Sequence, residues 1–250
     1  NNYFLTYGAN GFETAPYTAT ADLNSVNSSN AEVFQTTKDQ TGAAIVANPT
    51  TVHAINVKHN IAGAALTLAS GGFIAGATKT IDNPIDFGAE GVIFAYDSPT
   101  FNGALTATDG LTVFSRPTDG RFVKLNAINS TTLVGPDTIN GAATVQVRRD
   151  DNLGAAANEI RINGGRLYVD RQTGDPSFVS SRTLRTGPCG GTFGSADNDG
   201  TYTYNGALIL DGPLAVAIGG NTQIDFHGPI QDAAGKQGTL IFSGSSKRFN

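Results

Sequence analysis

Residues 159–170 read Glu159-Ile160-Arg161-Ile162-Asn163-Gly164-Gly165-Arg166-Leu167-Tyr168-Val169-Asp170. In an extended chain Ile160 and Ile162 share one face and Glu159, Arg161 and Asn163 the other, because side chains alternate along a strand. Gly164-Gly165 turns the chain, and Leu167 and Val169 then repeat the alternation. The same period of two recurs in Thr144-Val145-Gln146-Val147-Arg148, in Leu208 with Leu210, in Leu214 with Val216 and Ile218, and in Ile224 with Phe226. Helix signals are nearly absent, since glycine interrupts almost every window long enough for three helical turns.

Short strands at this rhythm suit either an antiparallel sandwich or a parallel β-helix. Two-residue hairpin turns flanked by matching strands are rare here, which disfavours the sandwich. Internal repetition favours the helix. Phe101-Asn102-Gly103-Ala104-Leu105 echoes Tyr204-Asn205-Gly206-Ala207-Leu208, and the same offset sets Leu111 against Leu214 and Val113 against Val216. A looser echo sets Gly120-Arg121-Phe122-Val123 against Gly238-Thr239-Leu240-Ile241. The expected fold is all-β: a parallel β-helix of degenerate repeats over residues 51–250, with roughly 20–25 residues per coil. Stacking ~10 rungs about 4.8 Å apart gives a body roughly 50 Å long. Residues 1–50 are less regular and are expected to form an N-terminal segment, early rungs or a cap.

Composition narrows the function classes. Only 15% of the 250 residues are charged and 31 are glycine, against a usual charged share of roughly a quarter. Disorder fits poorly, because Ile, Val, Leu and Phe recur in alternating groups throughout. The net charge is −5, and the densest basic cluster, Arg148-Arg149, is followed at once by Asp150-Asp151, so nucleic acid is not an expected partner. No apolar run approaches the ~20 residues of a membrane span. Cys189 is the only cysteine, which excludes an intrachain disulfide. The sequence begins at Asn1 and contains no methionine, so the chain is expected to be a processed product or part of something longer.

Several of these runs resemble a known family. Thr138-Ile139-Asn140-Gly141 leads to Ala143-Thr144-Val145-Gln146-Val147, then Asp151-Asn152-Leu153-Gly154, then Asn158 through Leu167 with its Asn163-Gly164-Gly165 turn. Near the end, Ile230-Gln231-Asp232-Ala233-Ala234-Gly235 leads to Gly238-Thr239-Leu240-Ile241-Phe242-Ser243-Gly244. The order and spacing resemble the autotransporter-associated β-strand repeat. That resemblance implies a right-handed parallel β-helix in a secreted protein of the bacterial cell surface. It implies no catalytic residues, so none are carried over. Arg148-Arg149 and Arg161 stand where the family usually has uncharged residues, and Val123-Lys124-Leu125-Asn126 replaces its Leu-Ser-Gly strand end.

Candidate chemistry is sparse. His53 and His59 flank Ile55 and Val57 on one face of an alternating run, but roughly 20 Å apart, too far to share a metal. His227 and Asp225 read as ordinary strand-end and turn residues. Asp197-Asn198-Asp199-Gly200 has the look of a calcium loop but lacks a third acidic position and a later Glu; turn chemistry explains it. Polysaccharide-cleaving chemistry needs two carboxylates some 5–9.5 Å apart, or carboxylates with Arg or Lys. Arg148, Arg149, Asp150 and Asp151 form the best such cluster, and Asp170, Arg171 and Asp175 the next. Both read first as solvated ion pairs. Cys189 reads as a partly buried small residue. Tyr168, Tyr202 and Tyr204 read as exposed aromatics, either a contact strip or a surface ladder.

No catalytic residue, cofactor or metal is therefore assigned. The expected function is a structural or adhesive rod or lattice element at the cell surface. Open sheet edges would continue into further repeats or pack on copies of the chain. A polysaccharide-active enzyme and a glycan- or protein-binding module are the alternatives.

Overall fold

The computed structural model describes residues 4–8, 11–20, 22–25, 32–41, 46–116, 121–195, 199–219 and 221–244. Its body is a parallel β-solenoid of about nine turns. One face is a sheet running from Tyr17–Thr20 to Ile230–Asp232, and a second is an eight-stranded sheet from Thr80–Ile81 to Thr239–Gly244. A third face carries a three-stranded sheet in the later coils: Phe178–Ser180, Asp199–Tyr204 and Asn221–Phe226. Each coil visits the second face, then the third, then the first. Leu5–Gly8 and Gly11–Thr14 pair antiparallel outside this plan.

The alternation read from residues 159–170 is what builds the faces. Ile160 and Ile162 point inward on the first face, and Leu167 and Val169 inward on the second, all four fully buried. Register then stacks like on like. Phe34, Ile55, Phe73, Ile93, Val113, Ile139 and Ile162 form one inward column, and Val123, Val145, Leu167, Phe193 and Val216 another. Each such side chain, buried on the coils above and below, stabilises the rod by about 1.5–3 kcal/mol. A coil takes between 16 residues, Tyr17 to Val33, and 26 residues, Arg166 to Thr192. The additional residues leave at the corners and do not disturb the columns.

The echo that suggested repetition does not superimpose coils. Phe101 pairs in the second face, whereas Tyr204 pairs in the third. Leu111 lies in the first face and Leu214 in the second. What the two blocks share is a corner: a strand end, Asn-Gly, and the start of the next face. A Cβ at Gly103 would collide with the Asn83 carbonyl below it, and one at Gly206 with that of Arg182. The looser echo falls on one face but a residue out of step, since Phe122 shares its column with Ile241 and not with Leu240.

Where the third face lacks strands, buried asparagines replace the ladder. Asn152 accepts hydrogen bonds from the Arg148 and Arg149 amides at 3.0 and 2.9 Å and donates to the Ala127 carbonyl at 2.7 Å. Asn129 accepts from the Leu105 amide at 2.8 Å and donates to the Asn152 carbonyl at 2.7 Å. These side chains satisfy backbone groups that an irregular buried segment would otherwise orphan.

Candidate functional site

The two charge clusters singled out in the sequence meet at one corner, where the second face turns into the third. Arg148 grips Asp175 with both arms, Nε to Oδ2 at 2.8 Å and Nη2 to Oδ1 at 2.7 Å. The Gln172 amide donates to the same carboxylate at 2.6 Å. Arg149 pairs with Asp151 at 2.6 Å, and Lys124 reaches Asp170 at 3.6 Å. The hydrogen bonds from Arg148 hold the Asp175 carboxyl below its ordinary value, and they raise the Arg148 guanidinium in turn. A carboxylate held so firmly ionised is a poor proton donor near neutral pH. The arrangement braces a corner.

Asp150 is engaged differently. Its Oδ1 accepts from Nε of Arg182 at 2.9 Å, and Arg182 is almost completely buried. The same guanidinium donates to the carbonyls of Asp150 at 3.0 Å, Gly154 at 2.8 Å and Ala155. A planar fork with five donors suits a bend where several carbonyls converge. Nearby, Asp137 occupies an inward position in the column Leu111–Asp137–Ile160. Neither of its carboxylate oxygens makes a hydrogen bond. The adjacent Asn158 amide is spent on the carbonyls of Leu133 and Leu153, at 3.1 and 3.2 Å. Burial pushes the Asp137 carboxyl well above its ordinary range, against the pull of Arg182. No sequence signal marked Arg182, Asp137 or Asn158 as interior.

The other candidates are dispersed. A register shift between Val52 and Ala54 puts Ile55 and Val57 inward. His53 is only half-buried, so it does not share a face with them as the uninterrupted alternation had implied. It lines a cleft of about 700 Å³ beneath Phe4 and Tyr17. His59 sits past the strand end, where its Nδ1 donates to the Thr36 carbonyl at 3.0 Å. His227 contacts Asn205 at 3.2 Å, while Asp225 accepts from Gln223 at 2.8 Å, so the two do not pair. Asp197 and Asn198 lie outside the described residues. Among the described residues no group of three or more His, Cys, Asp or Glu is placed to hold a metal ion.

Two exposure readings are corrected. Tyr202 and Tyr204 are buried, packed at ring-centroid distances of 6.1 Å on Phe178 and 5.5 Å on Phe193; burial lifts the Tyr204 phenol above its ordinary range. They face inward because their strand belongs to the third face, which local alternation alone does not orient. Tyr168 is half-buried on the outside of the second face. Cys189 is exposed, at the tip of the tight turn closed by the Gly190 amide on the Gly187 carbonyl at 2.8 Å.

On the first face, Glu159 accepts from Arg161 and Arg185, each at 2.7 Å. Burial works to raise its carboxyl, but the two arginines hold it below the ordinary value. No helix among the described residues is long and apolar enough to cross a membrane. The chain matches no protein-family model, no curated protein and no solved structure.

Proposed function

We infer that the chain is a rod-like structural segment of a secreted bacterial surface protein, with no catalytic task. The observation that carries this is the use of its charges. The carboxylates at the one corner rich in them are each tied to an Arg or Lys: Arg148–Asp175 and Arg182–Asp150 join neighbouring coils, Lys124–Asp170 spans the coil between them, and Arg149–Asp151 closes a turn within one coil. The apolar column of the second face, Val123 through Val216, joins coil to coil, and low charge with frequent corner glycine matches a chain whose residues serve stacking. The resemblance to autotransporter-associated repeats supports the surface location and the bacterial source. The last described coil exposes Ile230, Ile241 and Phe242, which supports contact with further coils or with a second copy.

The test is a turnover assay of residues 1–250 over a broad panel of neutral and acidic polysaccharides, with display on a bacterial surface in parallel. The rod reading expects no cleavage, and expects an epitope fused at one end to be held away from the cell. Cleavage that is lost in Asp151→Ala would overturn it in favour of an enzyme.

A further inference from the structure

On the outside of the first face, near its amino end, Val33, Ala54, Gly72 and Val92 are in-line partners on four successive strands. They point outward because Phe34, Ile55, Phe73 and Ile93 beside them point inward. Between the two valines the column falls to a methyl and then to nothing, which sinks a slot into the sheet surface. Phe4 lies over the gap, where a Cβ at Gly72 would stand 2.8 Å from its Cε1. Tyr17 packs beside Phe4, with ring centroids 6.5 Å apart. The slot is the floor of the cleft of about 700 Å³ that His53 lines, within the roughly 300–1,000 Å³ of small-molecule sites. The register shift supplies its side wall. His53 alone separates Val52 from Ala54, whereas Ala69, Ser70 and Gly71 separate their partners Leu68 and Gly72. Such bulges re-aim side chains and are common beside functional sites.

The chemistry of the lining decides what fits. Its hydrogen-bonding groups are mostly engaged within the protein. The Tyr17 hydroxyl accepts from the Phe4 amide at 3.2 Å and from Asn56 Nδ2 at 3.4 Å, which leaves its ring as the surface on offer. The Ser70 hydroxyl donates to the His53 carbonyl at 2.7 Å and accepts from the Gly72 amide at 3.3 Å. The Ala15 and His53 amides donate to the carbonyls of Phe4 and Glu32, at 2.8 and 2.9 Å. A sugar, with a hydroxyl to satisfy at nearly every carbon, is poorly served here. Among the described residues no Lys or Arg lines the cleft, so an anion meets no counter-charge. The Glu32 carboxylate stands at the rim, exposed and with no partner among the described residues. Residues 1–37 add Glu13 and Asp22 and contain no Lys or Arg, so the local field favours a cation. The faces of aromatic rings attract the same charge. A neutral apolar molecule would use only the apolar wall, whereas an organic ammonium uses the wall, the rings and the carboxylate.

We propose that this cleft binds a small organic ammonium ion. Its apolar body lies against Val33, Ala54 and Val92, and its cationic head lies beside Glu32 and the rings of Phe4 and Tyr17. The site is separate from the rod function, since no residue of the charged corner takes part.

The experiment titrates the intact 250-residue chain, ¹⁵N-labelled, with phenethyltrimethylammonium at about pH 8, where imidazole carries no charge. The neutral arm is 2-phenylethanol and the anionic arm is 3-phenylpropionate. Saturable shifts with Kd in the millimolar range are expected at the amides of residues 32–34, 53–55 and 70–73. The ammonium should bind roughly fivefold more tightly than either analogue. Glu32→Gln, an exposed and nearly isosteric change, should weaken the ammonium by roughly three- to fivefold. Phe4→Leu keeps apolar contact and removes a ring. It should weaken the ammonium by roughly two- to fivefold and leave 2-phenylethanol within about twofold. Arg161→Ala, three coils beyond Val92 on the same face, should change nothing. Melting curves of each variant check that the fold is kept, and the surface change Glu32→Gln keeps the test open if Phe4→Leu unfolds. The proposal is overturned by no saturable shift with the ammonium, by shifts centred elsewhere, by equal or tighter binding of the neutral or anionic arm, or by binding unchanged in both variants.

Discussion

Replacing Arg182 with leucine tests whether a buried cation, and not apolar contact alone, holds residues 150–155, the stretch of the coil beneath that passes from the second face toward the first. The substitution deletes four hydrogen bonds: one to the Asp150 carboxylate and three to the carbonyls of Asp150, Gly154 and Ala155. Removing one partner of a buried ion pair costs roughly 3–5 kcal/mol. Asp150 keeps some access to water, with 22% of its side chain exposed, which favours the lower end. A leucine returns part of this through burial only if it packs, so the net loss should be about 3 kcal/mol. For a chain of this length that corresponds to a melting temperature lower by roughly 6–12 °C. Coils couple mainly to their neighbours, so the loss should be local. Hydrogen exchange at residues 150–155 and 178–184 should speed up on the order of a hundredfold, while residues 50–95 keep their protection. Asp150→Leu in the same chain should recover part of the loss, since the carboxylate no longer lacks a partner. A melting temperature within about 2 °C of the parent, with unchanged exchange at residues 150–155, would refute the reasoning.

Asp137→Asn should stabilise the protein near neutral pH and flatten its pH dependence. The folded carboxyl titrates above its unfolded value of about 3.8, so the native state binds more protons in between. Stability tied to this group is full below the unfolded value and is lost as pH rises through the folded one. Urea midpoints of parent and variant from pH 4 to pH 8 should diverge with rising pH; parallel curves would contradict this. Glu159→Gln has the opposite sign: its carboxyl is held low, so the variant's deficit should be present at pH 7 and vanish as pH falls through the carboxylate range, seen as convergent melting curves. Asp175→Asn should cost about 1 kcal/mol, at the upper end for a partly exposed pair, and should shrink in 1 M salt. Gly206→Ala should cost about 1–3 kcal/mol through collision with the Arg182 carbonyl, and Gly174→Ala, which meets no neighbour but stands at φ +92°, should cost about 1–2 kcal/mol through backbone strain alone, both measured by chemical unfolding.

The strands of the two main faces were legible because burial there has a period of two. Ile160, Ile162, Leu167 and Val169 announce their orientation, and the fold follows once such segments recur without hairpin turns. The phase between coils was not legible. Asn102-Gly103 and Asn205-Gly206 look alike because both solve the same local problem of passing a corner close to the coil beneath, yet they stand at different corners. Inward polar residues were invisible for a related reason. Asp137 and Thr186 break the apolar column, and in sequence they read as surface. Thr186 is satisfied only in three dimensions, where its hydroxyl donates to the Gly212 carbonyl at 2.9 Å and accepts from the Asp211 amide at 3.1 Å. The charged corner was half visible. The residues 148–151 and 170–175 were each conspicuous, but that Arg148 joins Asp175 depends on a coil length that sequence spacing does not reveal. Lys124 became notable only through its register.

The variable coil has a mechanical consequence. Ladder hydrogen bonds run along the axis of the solenoid, from each strand to the strand one coil away. A tensile load on the two chain ends would open those ladders a coil at a time, while a sideways load would strain many coils together. Tethers that cross coils therefore matter most under tension: Lys124 reaches past the coil of Gln146 to Asp170, and Arg182 ties itself to the coil before its own. They act as rivets placed midway along a stack that would otherwise peel from its ends.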